Sequence, residues 1–199
     1  MNKVNFDLLM QEEIKNKYIG KRKKLLLHSC CAPCSTACIE RLKDVFDITI
    51  YYYNPNMDSE EEYLKRLSEQ KRYCSSFGIP VIDDGYGAEE YYTAVRGLEQ
   101  EQEGGKRCEK CFYLRLNQTA KKAKDLGFDV FATTLTVSPL KNADLINKIG
   151  FGIEKGTGIN YLPSDFKKKD GYKRSIELST EHGLYRQNYC GCKFSKREI

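Results

Sequence analysis

Residues 24–34 read KLLLHSCCAPC, from Lys24 through Cys30 and Cys31 to Cys34. The part spanning 24–30 is too short for a helix. Its unbroken apolar run suits a strand covered on both faces, where no alternation is needed. Apolar residues then return at helical spacing over 35–46, with Ile39, Leu42 and Phe46 on one face. Working outward, the alternation continues. Residues 47–53 (DITIYYY) predict a second strand, stopped by Asn54-Pro55-Asn56. Ser59 with Glu62 three residues later is a capping box. It opens a helix with Leu64, Leu67, Cys74 and Phe77 aligned and Gly78 as its stop. A third strand follows over 79–82, a helix over 88–98, and a charged, glycine-containing loop over 99–107. A long helix spans 108–126, with Phe112, Leu116, Thr119, Ala123 and Leu126 in one stripe and Gly127 at its end. A strand over 129–135, a helix near 142–149, a short strand near 159–162 and a helix over 170–182 complete the chain. Strands alternating with helices imply right-handed crossovers. The expected fold is α/β, a parallel sheet of about five strands with helices on both faces. No repeat or linker interrupts it, so 1–199 reads as one domain, with 1–23 an extension that receives no element.

Composition narrows the function. There is no run of eighteen apolar residues, hence no expected transmembrane helix. Residues 1–24 are polar and lack the apolar core of a secretory signal, which points to the cytoplasm. That compartment keeps thiols reduced. Nine cysteines therefore suggest metal binding or redox chemistry rather than structural disulfides, and an odd count would leave one unpaired. Net charge is +5, and residues 160–199, with nine Lys/Arg against five Asp/Glu, carry most of it. This basic quarter suits either an anionic partner such as RNA or an ordinary solvated face.

Three cysteine groups carry the chemistry: Cys30-Cys31-Ala32-Pro33-Cys34 at the exit of the first strand, Cys108-Glu109-Lys110-Cys111 at the start of a helix, and Cys190-Gly191-Cys192 near the end. In open α/β sheets functional groups collect beyond the carboxyl ends of the strands, and all three groups can reach that edge. Thiolates bind soft metals, and iron–sulfur clusters commonly take four cysteines, here Cys30, Cys31, Cys108 and Cys111. Adjacent cysteines do not easily share one ion, so Cys30-Cys31 favours a cluster, with a structural zinc site as the competing reading. Cys34, Cys190 and Cys192 remain. Either they hold a second metal with an open position, or Cys190 and Cys192 form a labile redox pair. Cys38 and Cys74 read as small core residues.

Other signals have bland readings alongside functional ones. His28 lies inside a strand and reads as a hydrogen-bonded core residue. His182 reads as an exposed imidazole meeting a helix dipole. Lys167-Lys168-Lys169 is commonly a solvated turn. Beside Tyr172, Arg174, Tyr185 and Arg186 it can also be a surface for phosphates and bases. GxxxxGK[ST] and a Gly-rich dinucleotide fingerprint are both absent, so neither ATP nor a tightly bound nicotinamide is expected.

The segments HSCCAPCST, GGKRCEKCFYLRL, TTLTVSPLKN and GYKRSIELSTEHGLYRQNYCGCKFS resemble the QueH type of epoxyqueuosine reductase, over about residues 24–195. The resemblance implies reduction of epoxyqueuosine at the tRNA wobble position to queuosine, the last step of that synthesis. It implies a nucleotide α-hydrolase-like fold and a [4Fe–4S] cluster on Cys30, Cys31, Cys108 and Cys111, with no cobalamin. Cys190 and Cys192 become a redox-active pair or ligands of an additional mononuclear iron, and Cys34 a further candidate ligand of that iron. The implied partners are tRNA bearing epoxyqueuosine and an external electron donor, with no membrane. Two other readings compete: a non-enzymatic, zinc-stabilised RNA-binding module, and a tRNA-thiolating enzyme, against which the missing phosphate loop speaks.

Overall fold

The computed structural model describes residues 4–196, so the outermost three residues at each end of the expected domain lie outside the described residues. Leu25, Leu26 and Leu27 are completely buried. They sit in β1 (Lys23–His28), and they alternate between two cores. Leu25 and Leu27 pack with Ile39, Leu42, Ile48 and Ile50 on one face of the sheet, and Leu26 packs with Phe112, Leu116, Phe131 and Ile146 on the other. Burial on both faces is what removes the need for polar alternation. Each such leucine contributes roughly 1.5–3 kcal/mol.

The remaining strands are β2 (Phe46–Tyr52), β3 (Val81–Asp83), β4 (Val130–Thr133) and β5 (Asn160–Tyr161). They form one five-stranded sheet in the order β3-β2-β1-β4-β5, and every pair is parallel. Leu25 is registered against Ile48 on one side and Val130 on the other. The chain leaves β1 for β2 and later returns to β1's other side as β4. This reversal is a topological switch point, and it opens a crevice beyond the ends of β1 and β4. The helices are α1 (Phe6–Glu13), α2 (Ala32–Leu42), α3 (Glu60–Ser75), α4 (Glu89–Ala94), α5 (Lys106–Asp125), α6 (Ala143–Thr157) and α7 (Gly171–Glu181).

Several boundaries differ from the sequence reading. Cys31 caps α2, which therefore starts three residues early. Pro33 fits a first helical turn, where its missing N–H is not needed, so it does not delay the helix. Phe46 opens β2 and does not belong to the helix. On α3 the cap is as expected, with Ser59 accepting from the Glu62 amide, but Leu64 and Phe77 are exposed. The buried face is Tyr63, Arg66, Leu67, Gln70, Tyr73 and Cys74. Two polar residues on that face hid it from a hydrophobic count. Leu126 falls at the exposed end of α5. α4 is shorter than expected, and α6 runs on to Thr157. Gly150 lies inside α6 because a Cβ there would meet the Tyr161 ring at 2.3 Å. It is a close-packing glycine and not a helix stop. His182 is packed edge-on against Tyr73 and Phe77 instead of standing free in solvent.

The segment before β1 is tied down. Met10 of α1 and Tyr18 join the core, Tyr18 against Phe46, and buried Asp7 pairs with Arg41 at 2.5 Å. No helix among the described residues is long and apolar enough to cross a membrane.

Candidate active site

The crevice at the switch point is where the first cysteine group sits. β1 ends at His28. Ser29 donates to the side-chain carbonyl of Gln70, and Asn54 donates to the Ser29 carbonyl, so the exit of the strand is held from two sides. The chain then turns into α2 with Cys31 extended as the N-cap, its carbonyl accepting from the Ser35 amide. This geometry directs Cys30, Cys31 and Cys34 to one point, with their Sγ atoms all within 4.8 Å of one another. Cys30 and Cys31 are 3.8 Å apart. That is about the edge of a tetrahedral site with metal–sulfur bonds of about 2.3 Å. Adjacency therefore does not discriminate a cluster from a single ion, contrary to the spacing argument.

Three thiols so close cannot all ionise. Hydrogen bonds from Cys31 and then Cys34 pull the Cys30 pKa well below the usual thiol value. The same contact with Cys30 pushes Cys31 up to about 12, and Cys34 is raised as well.

The second group opens α5, a helix that returns antiparallel to the strands and so begins at the same edge. The Gly104 amide donates to Cys108 Sγ at 3.2 Å, and burial raises Cys108 and pushes Cys111 up to about 12. Cys108 packs against the apolar cluster that contains Cys30 and Cys31. Cys111 shares a buried cluster with Cys192, Tyr91 and Val95, so the second and third groups meet there.

The third group arrives on an irregular tail after α7. Side chains hold this tail to the body. Tyr189 donates to Asp58 and its ring stacks on Arg66, Lys196 pairs with Asp58, and the Asp58 amide donates to the Gly191 carbonyl. Gly191 has φ of +112°, and a Cβ on it would lie 2.5 Å from Met57 Sδ, so this position takes glycine for both reasons.

Cys30, Cys31, Cys34 and Cys190 line one cleft of about 260 Å³ together with Arg66 and Lys141. Arg66 and Lys141 thus face the sulfurs from the cleft wall, and Arg115, outside the lining, has Nη1 4.0 Å from Cys111 Sγ. Arg66 is 2% exposed, pairs with Glu62 at 2.6 Å and leaves Nη2 without a partner. Burial works against the Lys141 ammonium, but the sulfurs of Cys190, Cys30 and Cys34 outweigh it and hold its pKa above the ordinary lysine value. Arg115 is completely buried, and burial opposes its charge too, while Cys111, Cys30 and Cys190 favour it. None of these cations entered the sequence reading. Arg115 carried a signal, standing four residues after Cys111 on the same helix face, and Lys141 stood in the quoted segment TTLTVSPLKN.

His28 is the core residue expected. Its Nδ1 pairs with Thr133 Oγ1 at 2.9 Å, its Nε2 accepts from Arg115 Nε at 3.2 Å, and burial, then the Arg115 charge, pushes its pKa down to about 3. Cys38 and Cys74 are completely buried in the core. Among the surface candidates, Lys167 pairs with Asp165, and Lys169 donates to Gln11. Arg174 pairs with Glu40, Glu177 and Glu181. Tyr185 lies under Lys65 and over Glu62. Lys168 and Arg186 keep no acidic partner among the described residues. Arg186 stacks on Tyr172 at 5.4 Å, and both line the cleft.

With this geometry in hand, three comparisons bear on the chain. The family model described as epoxyqueuosine reductase QueH matches residues 25–198. A protein of Streptococcus pyogenes serotype M1 named epoxyqueuosine reductase QueH is 44% identical over 202 residues, covering 98% of this chain and 79% of that protein. One of the same name from Thermotoga maritima is 39% identical over 177 residues, covering 87% of this chain and 91% of that protein. Among solved structures, the U34-tRNA thiolase NcsA from Methanococcus maripaludis, determined with its [4Fe-4S] cluster, superposes with a TM-score of 0.57 at 11% identity. It covers 96% of this chain and 69% of the other. At that identity the likeness is one of fold, and it agrees with the nucleotide α-hydrolase-like architecture.

Proposed function

The chain belongs to the epoxyqueuosine reductase QueH family, and from that membership we propose how its cysteine-lined cleft performs the reaction. The protein is an oxidoreductase of queuosine synthesis. It removes the epoxide oxygen of epoxyqueuosine at the tRNA wobble position, leaving queuosine. The zinc-stabilised binding module and the thiolating enzyme are set aside on that membership. An epoxide that takes up two electrons and two protons gives an alkene and one water, so an external electron donor is required, and a tRNA substrate places the enzyme in the cytoplasm.

The donor set fits an anionic, thiolate-bound metal group. Cys30, Cys31, Cys34 and Cys190 line one cleft, Cys108 packs against the apolar cluster that holds Cys30 and Cys31, and Cys111 is buried with Cys192. Among the described residues Glu62 is the one carboxylate paired with Arg66, Lys141 or Arg115. Buried cations of this kind are compatible with folding when anions face them. We assign Cys30, Cys31, Cys108 and Cys111 as ligands of a [4Fe–4S] cluster, which supplies electrons one at a time without cobalamin. Cys34 lies within 4.8 Å of Cys30 and Cys31, which supports a ligand role for it over that of a bystander. Cys190 and Cys192 then serve as a redox-active pair, or with Cys34 they hold an additional mononuclear iron.

The chain's own residues prepare the substrate. The Tyr172–Arg186 stack at the mouth offers a face for a splayed base. Arg66 Nη2 and Gln187 Oε1 are buried polar atoms without partners, and both residues line the cleft. They are a donor and an acceptor left for the modified base. Lys141 brings positive charge to the same cleft. The observation that carries this reading is the convergence of Cys30, Cys31, Cys34 and Cys190 on one cleft. The test is anaerobic turnover of epoxyqueuosine-containing tRNA with a chemical reductant, followed by nucleoside mass analysis. Queuosine should appear and epoxyqueuosine disappear. A brown, cluster-bearing protein that left the epoxide intact would refute the reading.

A further inference from the structure

Arg115 is the most deeply enclosed charge near the cysteines, with no exposed surface. A guanidinium stays cationic under all ordinary conditions, so unlike a lysine it cannot answer burial by losing its proton. Its partners do not balance it. Nε donates to His28 Nε2 at 3.2 Å and Nη2 to the Asn54 side-chain carbonyl at 2.6 Å, and both acceptors are neutral. No carboxylate oxygen lies within 4.0 Å of it among the described residues, whereas Arg66, the other buried arginine of the cleft, has Glu62 at 2.6 Å. The third arm, Nη1, points to Cys111 Sγ at 4.0 Å. The electrostatic neighbours that favour the charge are Cys111, Cys30 and Cys190, one from each cysteine group.

The scaffold around Arg115 fixes its aim. His28 belongs to β1 and Asn54 follows β2, so two adjacent strands hold two of the three arms and leave the third for the sulfurs. A neutral His28 is needed here, since an imidazolium would repel the guanidinium. In the tautomer that carries its proton on Nδ1, His28 donates to Thr133 Oγ1, and Nε2, which also lies 3.2 Å from the Tyr53 carbonyl, accepts from Arg115.

We propose that Arg115 is a positioning residue for the metal centre: a fixed counter-charge, held by His28 and Asn54, that donates toward the thiolate of Cys111 and raises the electron affinity of the cluster bound there. This rests on the cluster reading given above. The physical basis is direct. Reduction adds one negative charge to the centre, and a nearby cation that water does not screen favours the more negative state. Donation to a ligand sulfur acts in the same direction, because hydrogen bonds to sulfur are among the levers that set such potentials. Arg66 contributes less, because Glu62 offsets its charge.

The test uses full-length protein reconstituted anaerobically, with iron and sulfide counted and the midpoint potential measured by redox titration followed by visible and electron paramagnetic resonance spectra. Arg115→Gln and Arg115→Met remove the charge, and Met covers the case in which a buried amide disturbs folding. Arg115→Lys restores the charge without the fork. Both neutral variants should keep the cluster and bind the added electron about tenfold less tightly, a fall of about 59 mV for a one-electron couple. Arg115→Lys should recover most of that shift. Loss of iron in the neutral variants but not in Arg115→Lys also supports a counter-charge. A wild-type potential in a fully loaded neutral variant overturns the proposal, as does equal loss of iron in all three variants, which marks a packing role. A wild-type protein that takes up no cluster overturns the cofactor reading itself, and this inference with it.

Discussion

The Cys30-Cys31 turn and the Cys190-Gly191-Cys192 tail deliver sulfur to the same cleft by different means. The first is fixed by regular structure: a central strand, a two-residue exit and a helix whose N-cap is Cys31. Its position follows from backbone hydrogen bonding and from burial of the leucines in β1. The tail has almost no regular structure. It is held by Asp58, Arg66 and Met57 from the segment between β2 and the middle of α3, and by burial of Cys192 against Tyr91, Val95 and Cys111. The turn is rigid because the sheet is rigid, whereas the tail is ordered only while a few side-chain contacts persist. Elements of the second kind sit at the low end of local stability. A site built from both has a permanent floor and a detachable wall.

The contrast can be broken first at the floor. Cys108→Ala or Cys30→Ala should remove cluster iron and colour altogether while the circular dichroism of the α/β fold persists. Full iron in Cys108→Ala would mean that the second group is not part of the centre. At the wall the expected loss is of function and not of cofactor. Cys190→Ser and Cys192→Ser should abolish epoxide reduction yet keep about four irons per chain. Iron above four in the wild type, lost in either variant, identifies a second metal. A two-electron titration without excess iron identifies a dithiol. Wild-type turnover by both variants would make the tail cysteines structural.

A subtler change sharpens the same comparison. Gly191→Ala forces a side chain into a backbone region reserved for glycine and against Met57, at a cost of about 1–3 kcal/mol. Turnover should fall several-fold, with iron content unchanged and tail amides exchanging faster with solvent. The loss of stability should appear as local opening more than as a lower global melting point. Equal loss of protection in the tail and in β1 would show that the two regions are one cooperative unit. The smallest effect is expected at the surface. Neutralising Lys167, Lys168 and Lys169 together should reduce the slope of log tRNA affinity against log salt by about one at most. Two of these lysines already engage Asp165 and Gln11, which leaves Lys168 to meet phosphate.

Legibility in the sequence follows the same divide. The strand at Leu25–Leu27, the capping box at Ser59 and the stripe of α5 are local signals, and the structure has them where local physics puts them. The helix expected near 142–149 continues through Gly150 to Thr157, because that glycine is a point of close approach to Tyr161 that only the tertiary structure reveals. The buried face of α3 was hidden because Arg66 and Gln70 point inward to satisfy the site. The three cysteine groups were visible as motifs, but the cations facing them were not. A buried arginine is recognisable only from what surrounds it, and Arg115 is surrounded by residues from β1 and from the segment after β2, far away in the chain.

The order of synthesis gives the detachable wall a further meaning. Cys30, Cys31, Cys34, Cys108 and Cys111 all leave the ribosome before Cys190 and Cys192 exist. At ordinary elongation rates the interval between Cys111 and Cys190 is roughly 4–16 s. A nascent chain therefore offers its floor before it owns a lid. An assembly factor that delivers preformed metal clusters would meet a recess without its tail wall at that stage and a walled cleft afterwards. Chain order thus makes the tail the last part of the site to become available.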